Sequence, residues 1–88
     1  SYVYWYHKKL EEELKFLVYL QNGEIIQKSE VINERFLAQC PENSPCALEI
    51  QSTESKDEGL YFCASSETGD NQAQHFGDGT RLSVLDDL

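Results

Sequence analysis

The chain is short and acidic: 88 residues, with 16 Asp and Glu against 7 Lys and Arg, for a net charge of −9. That balance argues against nucleic acid and anionic membrane surfaces as partners, and the length allows one small domain with a marginal core. At 40% hydrophobic and 26% charged residues the composition is that of a folded globule, without an apolar run long enough to cross a bilayer, and no direct membrane contact from this segment is expected.

Tyr2 to Lys8 alternates, with Val3 and Trp5 on one face and Tyr2, Tyr4, Tyr6 and Lys8 on the other, which predicts a strand. Trp5, the only tryptophan, reads as a core residue. Tyr4 and Tyr6 form an aromatic face, either a second packing layer or an interface. The start is already strand-like and lacks an initiator Met, so a piece of a longer protein is expected.

From Lys8 to Leu20 two patterns compete. Leu10, Leu14 and Leu17 have helical spacing, and Glu11 and Lys15 form an i, i+4 pair, so local propensity favours a short helix. Phe16 to Leu20 favours a strand instead, and Gln21-Asn22-Gly23-Glu24 is a turn signal that would close a hairpin onto Ile25-Ile26. Glu11, Glu12 and Glu13 read as a solvated turn, because catalytic acids would need convergence with groups from elsewhere.

Short strands then recur at the spacing of an all-β sandwich. Arg35 to Gln39 holds Phe36 and Ala38; Ala47 to Gln51 puts Leu48 and Ile50 inward and Glu49 outward. If the intervening Cys40-Pro41-Glu42-Asn43-Ser44-Pro45-Cys46 is a hairpin tip, the two cysteines face each other and can bond; two free buried thiols is the alternative. Cys63 is then left over, and an odd cysteine points to a partner outside the chain.

Ser52 to Glu58 is a polar connection, and Asp57 and Gly59 supply the turn into the next strand. In that strand Tyr61 and Cys63 share one face, Leu60, Phe62 and Ala64 the other. Both faces are apolar, which predicts cover on both sides, by the core and by a partner. Ser65 to Gln72 is polar and aperiodic, a loop. Gly77 and Gly79 around Asp78 suggest a bulge, and Arg81 to Leu85 alternates with Leu82 and Val84 inward.

Chemistry of other kinds finds little purchase. Cys63 with His7 or His75 has the composition of a thiolate–imidazole pair, but Cys63 lies on a core face with nothing to activate it. No cysteine or histidine spacing suits zinc, and Phe76-Gly77-Asp78-Gly79-Thr80 lacks the lysine and helix of a phosphate loop. No enzyme activity, cofactor or metal is expected.

Taken together, Trp5, Leu48-Glu49-Ile50, Asp57-x-Gly59-x-Tyr61-x-Cys63 and Phe76-Gly77-x-Gly79-Thr80 resemble an immunoglobulin variable domain. Cys63-Ala64-Ser65-Ser66, followed by Asn71-Gln72 and the run Phe76 to Leu85, is similar to a T-cell receptor beta chain with V and J segments joined. The resemblance covers nearly all of residues 1–88. It implies an all-β, two-sheet V-type sandwich seen from strand C onward, without strands A and B, and ending at the J segment and the junction with a constant domain. The cysteine that bonds Cys63 in this family lies on strand B. An 88-residue piece without it is expected not to fold stably alone, since losing such a disulfide typically costs about 2–5 kcal/mol.

By the same resemblance Tyr61 is the tyrosine of a corner motif, Arg35 and Asp57 close the lower end of the sandwich, and Trp5 and Cys63 are core residues. Tyr6, Leu14, Phe62 and Phe76 match the face that packs on the alpha chain variable domain. Lys8 stands where the family usually has glutamine, and Leu10-Glu11-Glu12-Glu13 where it usually has proline and glycines. The second hypervariable loop is Gln21, Asn22, Gly23 and Glu24; the third runs from Ala64 to His75 with Glu67, Thr68, Gly69, Asp70 and Asn71 at its tip; Pro41 to Pro45 is a fourth.

The implied function is recognition of a peptide on a major histocompatibility molecule, at the extracellular face of the plasma membrane. Glu67 and Asp70 would favour a basic or polar peptide feature, and Gly69 gives backbone freedom. The implied partners are an alpha chain, the peptide–histocompatibility complex, and a constant domain and signalling subunits beyond this segment. Another V-type module, of antibody light chain or adhesion receptor kind, or a non-productive fragment are the alternatives.

Overall fold

The computed structural model describes residues 2–40, 46–66, 75–76 and 79–83. Its elements run β1 (Tyr2–Lys8), β2 (Lys15–Gln21), β3 (Glu24–Lys28), β4 (Phe36–Gln39), β5 (Ala47–Ile50), a 3-10 turn (Ser55–Asp57), β6 (Gly59–Ser66), β7 (His75–Phe76) and β8 (Thr80–Leu82). They form two antiparallel sheets. The larger has the order β3-β2-β1-β6, and the outer edge of β6 pairs with β7 near its end and with β8 near its start. The second sheet, among the described residues, is β4 with β5.

The competition over residues 8–20 ends in favour of strand. Residues 10–12 form a turn in which Glu11 has φ 61°, and β2 begins at Lys15. Leu10 is 90% exposed and Leu17 2%, so the helical spacing of the leucines marks no common face. The ion pair that forms is Lys15–Glu12, at 3.5 Å, in place of the expected Glu11–Lys15 pair. Burial of Leu17, Val18 and Leu20 outweighs a helix propensity worth only tenths of a kcal/mol per residue.

Strand β2 carries an extra residue. Its register on β1 shifts between Trp5, opposite Val18, and Tyr6, opposite Phe16. Leu17 is thereby unpaired, and both it and Val18 are buried. The hairpin into β3 is the two-residue turn expected, with Asn22 at φ 51° and Gly23 at φ 85°, the left-handed pair that matches the twist of the flanking strands.

Leu17, Val18, Leu20, Ile32 and Tyr61 make the core between the sheets. Trp5, Phe36, Ala38, Leu48, Ile50 and Leu82 pack against it, so the inward positions expected for β4, β5 and β8 point into one cluster. Trp5 is only half-buried; it stands opposite Cys63 and borders a cavity of about 220 Å³ with Leu48, Ile50 and Tyr61. Cys40 and Cys46 are disulfide-bonded, which settles the alternatives at that hairpin, and Cys63 is a free thiol.

The bulge expected at Gly77 to Gly79 falls partly outside the described residues, as does Val84. The flanking register is informative: between Phe76, opposite Ala64, and Thr80, opposite Tyr61, the β7–β8 side has one residue more than β6.

At one end of the sandwich the chain is locked by polar contacts. Arg35 Nη1 and Nη2 donate to Asp57 Oδ2 and Oδ1 at 2.9 and 3.3 Å, a bidentate pair. Nη1 also reaches the Ser52 carbonyl oxygen at 3.2 Å, and the Glu54 amide donates to Asp57 Oδ2 at 2.8 Å. Tyr61 donates its hydroxyl hydrogen to the Asp57 carbonyl oxygen four residues back. Asp57 is only 4% exposed, and the Arg35 hydrogen bonds hold its carboxyl below the usual range. Burial pushes the Tyr61 phenol up to about 12.

Candidate protein-interaction site

The larger sheet turns one face to the core and leaves the other open. On the open face, strand register sets side chains in rows. Tyr4 stands between Tyr19 and Ala64; Tyr6 stands between Phe16 and Phe62; Lys8 stands beside Leu60, which has Arg81 on its far side. Strict alternation would put Phe16 and Tyr19 on opposite faces. The extra residue Leu17 brings both to the open one.

The rings form a continuous layer. Tyr4 stacks on Tyr19 with centroids 4.6 Å apart, and Tyr6 meets Phe16 edge-on at 6.4 Å. Tyr2 joins Tyr19 at 6.1 Å, and Tyr4 and Tyr6 are near-parallel at 6.4 Å. All of these rings are half-buried, and burial followed by the neighbouring Tyr4 raises the Tyr6 phenol above its usual range. Phe62 is held by β8's approach: a Cβ on Gly79, whose φ is 88°, would lie 2.7 Å from the Phe62 ring. A glycine there leaves the space that the ring occupies.

Of the interface residues read from the sequence, Tyr6 and Phe62 are brought together as register partners. Phe76 pairs with Ala64, one row on. Leu14 lies just ahead of β2 and is 46% exposed. Phe16 and Tyr19 were missed; a count of residues between Trp5's face and the Gln21 turn gives no sign of an inserted Leu17.

The loops gather at one end. Tyr2 is in register with both Gln21 and Ser66, so the start of β1, the Gln21–Glu24 turn and the exit of β6 lie side by side. Gly23 sits against the Cys40 carbonyl oxygen, which a Cβ would approach to 3.5 Å, so the disulfide-closed β4–β5 hairpin abuts the same turn. Glu67, Thr68, Gly69, Asp70 and Asn71 lie outside the described residues, as do Pro41 to Pro45; the strands that flank 67–74 meet at Ser65 and His75.

On the core face, His7 stacks on Tyr61 at 4.2 Å and its Nε2–H donates to the Glu58 carbonyl oxygen at 2.7 Å. Cys63 is two residues along β6 from Tyr61, opposite Trp5. Among the described residues no three metal-ligating side chains converge, and no helix is long and apolar enough to cross a membrane.

Comparison with protein-family models matches residues 1–85 to the immunoglobulin V-set domain. Among curated proteins, the chain is 49% identical over 67 residues to human "T cell receptor beta variable 16", covering 76% of this chain and 58% of that protein. It is 46% identical over 86 residues to mouse "T-cell receptor beta chain V region CTL-F3", covering 97% and 64%. It is 43% identical over 67 residues to human "Probable non-functional T cell receptor beta variable 23-1", covering 76% and 58%. The chain thus spans about three fifths of the length of these relatives.

Proposed function

Because the chain belongs to the immunoglobulin V-set family, as a variable domain of the T-cell receptor beta type, we propose that it recognises antigen as one half of a receptor heterodimer. Its aromatic face packs on an alpha chain variable domain, and its loop end reads a peptide held by a major histocompatibility molecule. This places it at the extracellular face of the plasma membrane, in a receptor whose constant domain and signalling subunits belong to other segments.

The observation that carries the pairing half is the ring layer of Tyr4, Tyr6, Phe16, Tyr19 and Phe62 on a sheet whose other face is already in the core. Half-exposed, stacked aromatics lose little side-chain entropy when covered and present contact area suited to a well-packed interface. Phe76, whose backbone is in register with Ala64, and Leu14, just ahead of β2, are assigned to the same contact as part of this proposal. The recognition half is supported by the register that sets the Gln21–Glu24 turn beside the exits leading to 67–74.

The test is assembly. A receptor chain carrying this domain is co-refolded with alpha chains and analysed by sedimentation. A one-to-one complex that weakens about ten-fold or more in Tyr6→Ser and Phe62→Ser supports the reading. A beta chain that stays unpaired with every alpha chain tried contradicts it.

A further inference from the structure

The aromatic face does not end in apolar residues. Its last row runs across three strands, Lys8 on β1, Leu60 on β6 and Arg81 on β8, each in register with the next. Neighbouring strands lie about 4.8 Å apart, so the two cations flank Leu60 across roughly 10 Å, one row from Tyr6 and Phe62. We infer that this row is an acid-reading subsite: Lys8 and Arg81 together receive a carboxylate presented by the variable domain that covers the aromatic face. The inference rests on the pairing reading above and adds to it the chemistry by which one partner is preferred over another.

Three observations support it. Among the described residues neither Lys8 nor Arg81 forms an ion pair; the Lys8 ammonium donates instead to the Lys9 carbonyl oxygen at a long 3.4 Å. The row opens onto a cleft of about 470 Å³ whose charged lining is Lys8, Lys9 and Arg81 against Glu12 and Glu58. Glu12 is taken up by Lys15. A chain of net charge −9 therefore gathers three of its 7 Lys and Arg at one edge of its open face, a local sign opposite to the whole.

Covering Tyr6 and Phe62 removes water from beside Lys8. A desolvated ammonium is stable in such an interface only with a carboxylate to join it, and Arg81, from the other side of Leu60, offers the same carboxylate a planar donor pair. A partner with an amide or apolar group at that point leaves Lys8 unpaired and is rejected. A partner with Asp or Glu is accepted, which is specificity by charge rather than by area.

The experiment uses a receptor chain carrying this domain, a photo-cross-linker placed at position 8 to find the alpha chain residue that faces it, and two alpha chain variable domains that carry Glu or Gln at that residue. Arg81 is exposed, and Lys8, though half-buried, has no ion pair among the described residues to lose, so Lys8→Gln, Lys8→Glu and Arg81→Gln should melt close to the parent. We expect the Glu partner to bind about ten-fold more tightly than the Gln partner, Lys8→Gln to abolish that preference, and Arg81→Gln to reduce it. Lys8→Glu should prefer the Gln partner, and raising the salt should shrink every one of these preferences, leaving Lys8→Gln, which has none, unchanged.

If Lys8→Gln and Arg81→Gln bind both partners within about two-fold of the parent while Tyr6→Ser weakens both, the pairing reading survives and the acid-reading subsite is overturned. If the parent pairs with neither domain, both fall.

Discussion

The corner built from Arg35, Asp57 and Tyr61 and the open face built from Tyr4, Tyr6, Phe16, Tyr19 and Phe62 lie on the same molecule and use their side chains in opposite ways. At the corner every strong polar group named is satisfied within the chain, and Asp57 is buried with its carboxylate paired bidentately. On the open face the rings stack on each other but stay half-exposed, and the cations at its end are not paired among the described residues. One region closes the fold; the other keeps contact area and charge for something else. Substitutions should therefore separate stability from association.

The largest stability effect is expected at the corner. Asp57→Ala leaves the Arg35 guanidinium without its bidentate partner and the Glu54 amide without an acceptor, at a cost of about 3 kcal/mol in denaturant melts. Pairing by the fraction that remains folded should be unchanged. A loss of pairing without a loss of stability would erase the distinction between the two regions.

Gly79→Ala should cost less, about 1–3 kcal/mol, because the added methyl must displace the Phe62 ring and φ is 88°. Since Phe62 belongs to the open face, this variant should lose more in pairing than in stability. Equal affinity with a displaced ring would show that the face is not the contact surface.

Tyr61→Phe removes the hydrogen bond to the Asp57 carbonyl oxygen and is expected to cost about 1 kcal/mol at neutral pH. The pH dependence sharpens it. The Tyr61 phenol sits at about 12 when folded, against a usual value near 10, so between those values the folded chain holds a proton that the unfolded chain has lost. Stability should fall as pH rises through that window, and less steeply in Tyr61→Phe. Asp57, held low, acts in the other direction: its contribution is present above the usual carboxylate range and is lost as pH falls below it. An unaltered alkaline slope in Tyr61→Phe would contradict the assignment.

Much of this was legible in the sequence wherever period-two alternation ran unbroken. Tyr2 to Lys8 and Gly59 to Ala64 were read with the faces they adopt, and Asn22-Gly23 specified its turn because few other pairs accept two left-handed residues. Where alternation breaks, reading failed for a physical reason. Leu17 is inserted in β2, so Phe16 and Tyr19 share a face that parity assigns to one of them only, and the only outward sign is three buried apolar residues within four positions. Leu10 and Leu14 imitate a helix because a solvated turn places no demand on hydrophobic spacing. Ile32, in a connection without periodicity, gave no signal that it enters the core.

The central claim is that the open aromatic face, rather than another exposed apolar region, meets the partner domain. Hydroxyl-radical footprinting of a receptor chain carrying this domain, alone and with an alpha chain, measures that directly through side-chain oxidation. Protection of Tyr4, Tyr6, Phe16, Tyr19 and Phe62, with Ile25, Ile26 and Val31 oxidised as before, is the predicted result. Unchanged oxidation of the five rings in a complex that has formed, or protection confined to Ile25, Ile26 and Val31, would contradict it.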